Sequence, residues 1–178
     1  MSAEMPYAIL AEYERLSLAH SAGLPEQIEA PGQWRGIAFR VGARLLVSSI
    51  GEVGEIALPQ TLTPVPGTRG WLLGVANVRG NLVPVVDLGQ FLFGTPTILT
   101  DRSRVLLIRQ GNGSAGLLVD EVLGQRSLGA AAMAEAVGES DSRLARFVER
   151  NIRAEAQELG QFSMLRLTRA IDFQQAAA

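Results

Sequence analysis

The chain has 178 residues, sixteen of them basic and eighteen acidic, for a net charge of −2, and every basic residue is an arginine. That balance exerts no general pull on nucleic acid or anionic lipid, and the missing lysine removes P-loop, Schiff-base and lysine-base chemistry. With no cysteine and a single histidine, His20, disulfide frameworks, thiolate metal sites and cysteine nucleophiles are excluded as well.

About half the residues are apolar, 47%, and the length suits one ordinary domain with a sizeable core. No apolar run approaches a membrane span, and the start MSAEMPYAILAEYER lacks the basic and apolar regions of a signal peptide. A soluble, cytoplasmic protein without direct membrane insertion is the expectation.

Residues 1–35 read as a leader. Ile9, Tyr13, Leu16 and His20 recur at helical spacing and predict one short amphipathic helix; SAGLPEQIEAPG then reads as a linker or strap. From Trp34 the texture turns to short β-rich segments: Ile37 to Val41 and Leu45 to Ser49 joined across Gly42-Ala43, then Glu52 to Leu58. Thr61 to Gly70, rich in proline and glycine, predicts a surface connection, and Trp71 after it a core or boundary anchor.

Next comes GVANVRGNLVPVVDL, Gly74 to Leu88, in which two apolar runs flank Gly80-Asn81 and predict a tight hairpin centred on that pair. Val78 then faces Val83 and Ala76 faces Val85, giving a core face of Ala76, Val78, Val83 and Val85. The opposite face, with Val75, Asn77, Arg79, Leu82, Pro84 and Val86, mixes polar and apolar groups and suits a partner.

Gln90 to Thr97 predicts a turn-rich crossing. Arg104 to Arg109 and Ala115 to Val122 predict strands around a Gly111-Asn112-Gly113 loop, and Gly129 to Val137 fits either a short helix or an irregular segment. Leu144, Phe147, Val148, Ile152 and Leu159 share one helical face, so Ser140 to Leu159 predicts the longest helix, with Gly160 as its stop. Phe162 to Leu167 reads as a strand, then a short turn or helix through Phe173, and 174–178 as a disordered tail. Two stretches, IAFRVGARLLVSSIGEV and VLLIRQGNGSAGLLVDEV, share the order strand, glycine turn, strand, Glu-Val, a weak internal repeat.

GVANVRGNLVPVVDL resembles the signature of the CheW family of chemotaxis coupling proteins: a glycine, an Asn-x-Arg-Gly turn, and a Pro-Val-Val-Asp-Leu strand. WRGIAFRVGARLLVSSIGEVGEI, TPVPGTRGWLLG, DRSRVLLI and GLLVDEV follow in family order, and Trp71 with the GLPEQIE leader is most similar to the family's type IV pilus adaptors. The resemblance implies a mainly β fold of two small five-stranded SH3-like barrels packed side by side with a groove between them. Joined to the patterns above, it predicts a CheW-like domain over 36–173, with a first barrel at about 36–97 and a second at about 98–173, plus the N-terminal helix and one long helix in the second half.

It further implies a non-catalytic adaptor, recruited to membrane receptor arrays. The adaptor couples the cytoplasmic tip of a methyl-accepting chemoreceptor to the regulatory domain of a CheA-type histidine kinase, in the control of type IV pili and twitching motility or, alternatively, of swimming. Residue by residue, Val53, Glu55, Gly74 and Arg79 match family positions and carry over as receptor-side. Val75, as an apolar anchor, and Asn77, beside the turn, join them.

The competing classes have less behind them. No phosphate-binding loop, metal-ligand spacing or nucleophile elbow is present, so no cofactor, metal or catalytic residue is expected; Asp120 and Glu121, adjacent on a strand, point to opposite faces and do not form an acid–base pair. Arg35, Arg40, Arg44, Arg102, Arg104 and Arg109 form local basic groups of the kind an RNA-binding barrel uses, but aromatic stacking residues are scarce beside them. No nucleic-acid partner is expected.

Overall fold

The computed structural model describes residues 10, 12–15, 34–110, 113–129, 143–154 and 157–176. The chain divides into two units, Met1–Pro31 and Gly32–Ala178. In the first, Leu10 and residues 12–15 are helical, and the Arg15 guanidinium donates to Glu12 at 2.8 Å. Tyr13 lies in that helix and is exposed; the other positions expected on its apolar face, Ile9, Leu16 and His20, lie outside the described residues.

The second unit is mainly β. Its strands are β1 (Trp34–Val41), β2 (Arg44–Ser49), β3 (Val53–Ala57), β4 (Leu72–Val78), β5 (Asn81–Asp87), β6 (Arg104–Gln110), β7 (Gly113–Val119), β8 (Glu121–Leu128), β9 (Val148–Ala154) and β10 (Gln157–Phe162). They form two five-stranded sheets, ordered β8-β1-β2-β10-β9 and β3-β6-β7-β5-β4. A division near residue 97 does not describe this sorting. The first two strands join the last three, and the five between them form the other sheet. Parallel pairing of β2 with β10 and of β5 with β7 brings this about, and parallel neighbours, unlike hairpins, leave no turn signal in the sequence.

The β1–β2 hairpin forms across Gly42-Ala43 as expected. The long helix does not. Residues 140–142 and 155–156 lie outside the described residues; Arg143–Arg146 is a single 3₁₀ turn, β9 follows from Val148 to Ala154, and β10 begins at Gln157. Val148 and Ile152, which one helical face would align, are separated in the strand: the register shifts between Gln161 and Phe162, and Val148 packs against the central cluster while Ile152 joins the cluster of its own sheet. Gly160 is no helix stop either: it lies inside β10, where an added Cβ would sit 3.0 Å from a Leu46 side-chain carbon. Nor is Phe162 to Leu167 a strand, because Phe162 ends β10 and Ser163 caps a helix, accepting from the Arg166 amide at 3.3 Å.

The helices are short: α1 (Leu88–Phe93), α2 (Met164–Arg169) and α3 (Ile171–Gln174). Asp87 caps α1. Buried there, it accepts from the Gln90 amide at 3.0 Å and from the Thr97 amide and hydroxyl, each at 2.8 Å. Three donors satisfy a carboxylate that would be costly to bury alone.

Each sheet has its own apolar cluster, Ala38, Val47, Ile152 and Leu159 in one and Ala76, Val83, Val105 and Leu118 in the other. A third and larger cluster joins them, drawing Phe39 and Leu46 from the first sheet, Leu106 and Leu117 from the second, and the helices around both. Trp71 is the anchor it was expected to be: its ring stacks on Phe173 at 6.1 Å between centroids and meets Phe91 edge-on at 5.3 Å. Glu121 adds a polar tie, receiving Arg40 at 2.8 Å from the neighbouring strand and Arg102 at 3.6 Å from the turn before β6.

The connection ahead of Trp71 is pinned to β4, since Thr63 and Val75 exchange both backbone hydrogen bonds at 2.9 Å. Gly74 permits this approach. Its φ is 143°, and a Cβ there would overlap the Thr63 carbonyl oxygen. Gly74→Ala is expected to cost about 2 kcal/mol or more, read as a lowered urea midpoint at unchanged slope.

The Arg40 hydrogen bond holds the Glu121 carboxyl below its ordinary value of 4.5, with Arg102 assisting and desolvation opposing. A depressed carboxyl adds stability above its unfolded-state value and loses it as the pH falls through the folded one. The urea midpoint of the wild type should therefore drop further than that of Glu121→Gln as the pH is taken from neutral to below 4.5.

Candidate functional site

The β4–β5 hairpin turns one residue earlier than the sequence suggested. Arg79 (φ 53°) and Gly80 (φ 84°) are its two central residues, the pair of positive angles of a type I′ turn, with Val78 facing Asn81. Asn77 selects this turn. Its side-chain oxygen accepts from the Gly80 amide at 2.8 Å, which leaves Asn81 to begin β5. Ala76 therefore faces Val83, where Val85 was expected. Each partner has moved by two positions, one full strand period, so Ala76, Val78, Val83 and Val85 still share the buried face. Val86 departs from the expected outer face: beyond the irregularity between Leu72 and Gly74 it is buried in the central cluster.

Arg79 is the one non-glycine residue with positive φ among the described residues, a conformation that costs on the order of 1 kcal/mol. Its guanidinium donates to Glu55 of β3 at 2.8 Å. β3 and β4 are the two terminal strands of their sheet, so the ion pair reaches from the β4–β5 turn across to the far edge. With side chains 78% and 32% exposed, such a pair adds roughly 0 to 1 kcal/mol to stability. What it does is fix the direction of the guanidinium fork.

Beside the pair lies an open basin of ≈ 570 Å³. Val78, Val83 and Leu107 supply buried apolar wall, Leu82 stands 75% exposed, and Arg109 and Ser114 close the polar side opposite Glu55 and Arg79. One carboxylate against two guanidiniums gives it a cationic bias. Such a mixture recognises a protein surface by contact, with apolar area for affinity and charged groups for orientation.

The candidate residues do not all converge here. Glu55 and Arg79 meet; Val53 packs against the central cluster, away from the basin lining. The irregularity between Val53 and Glu55 in the pairing with β6 breaks the alternation between them. Gly74 is buried and acts through the close approach of Thr63, Val75 is half-buried with its backbone bonded to Thr63, and exposed Asn77 holds the turn. Leu82 was legible as part of the outer face. Arg109 was visible only as part of a basic group, since nothing local in the sequence marks that the end of β6 lies near the turn after β4. Among the described residues no group of His, Asp or Glu is arranged to hold a metal.

A model of the CheW-like domain family matches residues 35–166. Protein PilI of Pseudomonas aeruginosa is 42% identical over 123 residues, 69% of each chain, and the chemotaxis protein CheW of Bacillus subtilis is 34% identical over 85 residues, 48% of this chain and 54% of that protein. The crystal structure of the scaffolding protein TtCheW from Thermoanaerobacter tengcongensis superposes with a TM-score of 0.70 at 20% identity, over 83% of this chain and 95% of that one. A family match across most of the chain, over a hairpin whose Asn-Val-Arg-Gly turn carries the exposed ion pair, makes this chain a member of the CheW-like domain family.

Proposed function

We propose that the protein is a non-catalytic adaptor that couples a methyl-accepting chemoreceptor to a CheA-type histidine kinase, in a chemosensory pathway controlling type IV pili and twitching motility. The pilus assignment is supported by the 42% identity to PilI, above the 34% to the chemotaxis protein CheW of Bacillus subtilis. Each five-stranded sheet is read as a small SH3-like barrel, the Glu55–Arg79 contact between terminal strands supporting closure of one of them. The membrane enters through the receptor: no helix among the described residues is long and apolar enough to cross one.

The observation that carries the reading is the exposed Glu55–Arg79 pair beside the basin, a rigid charged feature that contributes little to folding and is aimed outward. The receptor tip is the partner assigned to it, with Glu55, Arg79 and Leu82 as direct contacts and Gly74, Val75 and Asn77 as the residues that hold the hairpin in place.

The RNA-binding alternative loses ground because three of its six arginines are engaged within the chain. Arg40 and Arg102 are held by Glu121, and Arg104 donates to the Asp101 and Ser103 carbonyls at 2.7 and 2.8 Å. An RNA surface needs those charges for phosphates.

The test is a pull-down with receptor tip and kinase regulatory domain in separate arms. Arg79→Glu should weaken capture of the receptor tip by roughly tenfold or more while leaving the circular dichroism spectrum unchanged. Pairing it with Glu55→Arg, which restores an ion pair in reversed order, should recover the fold-neutral geometry but not the binding. Unchanged capture by Arg79→Glu would remove the basin from the receptor contact, and loss confined to the kinase arm would reassign it to the kinase.

A further inference from the structure

The inner face of β6 ends in an arginine. Val105 and Leu107 belong to the apolar cluster of their sheet, and Arg109, next in the same alternation, carries that face to the basin. Ser114 of β7 stands opposite Arg109, and Glu55 of β3 stands opposite Leu107. Alternation calls for an apolar side chain at 109; the chain has an exposed guanidinium there.

Stability does not account for that charge. Among the described residues the Arg109 guanidinium has neither hydrogen bond nor ion pair, whereas Arg40, Arg79, Arg102 and Arg104 all have acceptors. An inward charge can guard a sheet edge against pairing, but β6 lies inside its sheet, between β3 and β7. Arg79 is only partly committed as well. Its Nη2 donates to Oε1 of Glu55, and the other N–H groups of its fork have no acceptor among the described residues. Both guanidiniums therefore keep donors for a group from outside the chain.

The charges specify that group. Glu55, Arg79 and Arg109 leave the basin one positive charge in excess, which a single carboxylate neutralises through charge-assisted bonds to the two forks. A partner cation would meet two like charges and a carboxylate already held by Arg79. We propose that Arg109 is a specificity-determining residue of the basin, receiving together with Arg79 an Asp or Glu side chain of the receptor tip. This rests on the basin being the receptor contact and adds the chemistry that the tip must present. Arg79, fixed by Glu55, sets the direction of approach; Arg109, uncommitted, supplies the selecting charge, because a tip with a neutral or basic group in that place leaves it covered and unpaired.

The test is the affinity of the full chain for a purified receptor tip, measured for Arg79→Glu, Arg109→Gln and Arg109→Lys and, as a control, Arg169→Gln at an exposed position of α2. Arg109→Gln should weaken binding by about tenfold, and Arg109→Lys, which keeps the charge but not the fork, by about threefold. Arg169→Gln should change it by less than about twofold. Raising the salt to about 0.5 M should narrow the gap between wild type and Arg109→Gln. Among substitutions of the tip's acidic residues to Gln, one should weaken the wild type but have little further effect on Arg109→Gln. Unaltered circular dichroism and Tm establish that each variant is folded, with Arg109→Lys standing in for Arg109→Gln where the latter is not. A wild type that does not bind, or an Arg79→Glu variant that binds as well as the wild type, removes the receptor reading and this proposal with it. Loss in Arg79→Glu without loss in Arg109→Gln overturns the proposal alone, as does an equal loss in Arg169→Gln or the absence of any acidic tip residue coupled to Arg109.

Discussion

The two sheets share one apolar layer, and the positions of the remaining elements depend on it. Phe39 and Phe162 from one sheet, Trp71 and Phe91 from the approaches to and exit from the β4–β5 hairpin, and Phe147 and Phe173 from the C-terminal third interlock with centroid separations of 5.3 to 6.2 Å. Rings of this size supply much of the buried area of a domain of this length, and their interlocked edge-on, tilted and stacked contacts resist sliding of one sheet over the other. The C-terminal segment is drawn into the same layer: Phe173 stacks on Trp71, and the Arg69 amide donates to the Ala176 carbonyl at 2.8 Å.

This layer also places the hairpin that forms the candidate site. β5 runs without interruption into Asp87, which caps α1, and α1 sinks Leu88 and Phe91 into the layer. On the other side Trp71 anchors the start of β4, while Thr63 closes on Val75 over Gly74. Held at both bases, the hairpin presents Arg79 in a left-handed conformation that an unsupported arginine would leave. The ion pair with Glu55 then adds orientation at small energetic gain. The basin beside it thus displays fixed charge over apolar ground, while a narrow slot elsewhere on the same sheet is lined without charge.

Much of the site was legible locally. Alternation at period two identified Ala76, Val78, Val83 and Val85 as a buried face, and a displaced turn did not disturb that result, because a one-residue change in the turn moves every partner by a full period. Glu55 and Arg79 were identified together through a family resemblance and do meet. Val53 shows where that reasoning stops. Two residues from Glu55 along the strand, it belongs on the same face by simple alternation, yet an irregular step in the pairing with β6 directs it into the central layer. The helix expected from Ser140 to Leu159 failed in a related way: residues that one helical face would align are divided by an irregular step in the pairing of β9 with β10, Val148 going to the central layer and Ile152 to the cluster of its own sheet.

Taken alone, the sequence determined the short-strand texture, the first hairpin, the two-sided character of the second, and an inventory of side chains without lysine or cysteine. These are properties of neighbouring residues, set by alternation, turn chemistry and composition. Tertiary structure decided which strands share a sheet, because β2 pairs with β10 and β5 with β7 in parallel, and such pairs are chosen by the area they bury together instead of by any signal between them. It decided as well that Leu82 and Arg109 border the same basin as the ion pair, since only the curvature of the sheet brings the ends of β3, β5 and β6 to one place.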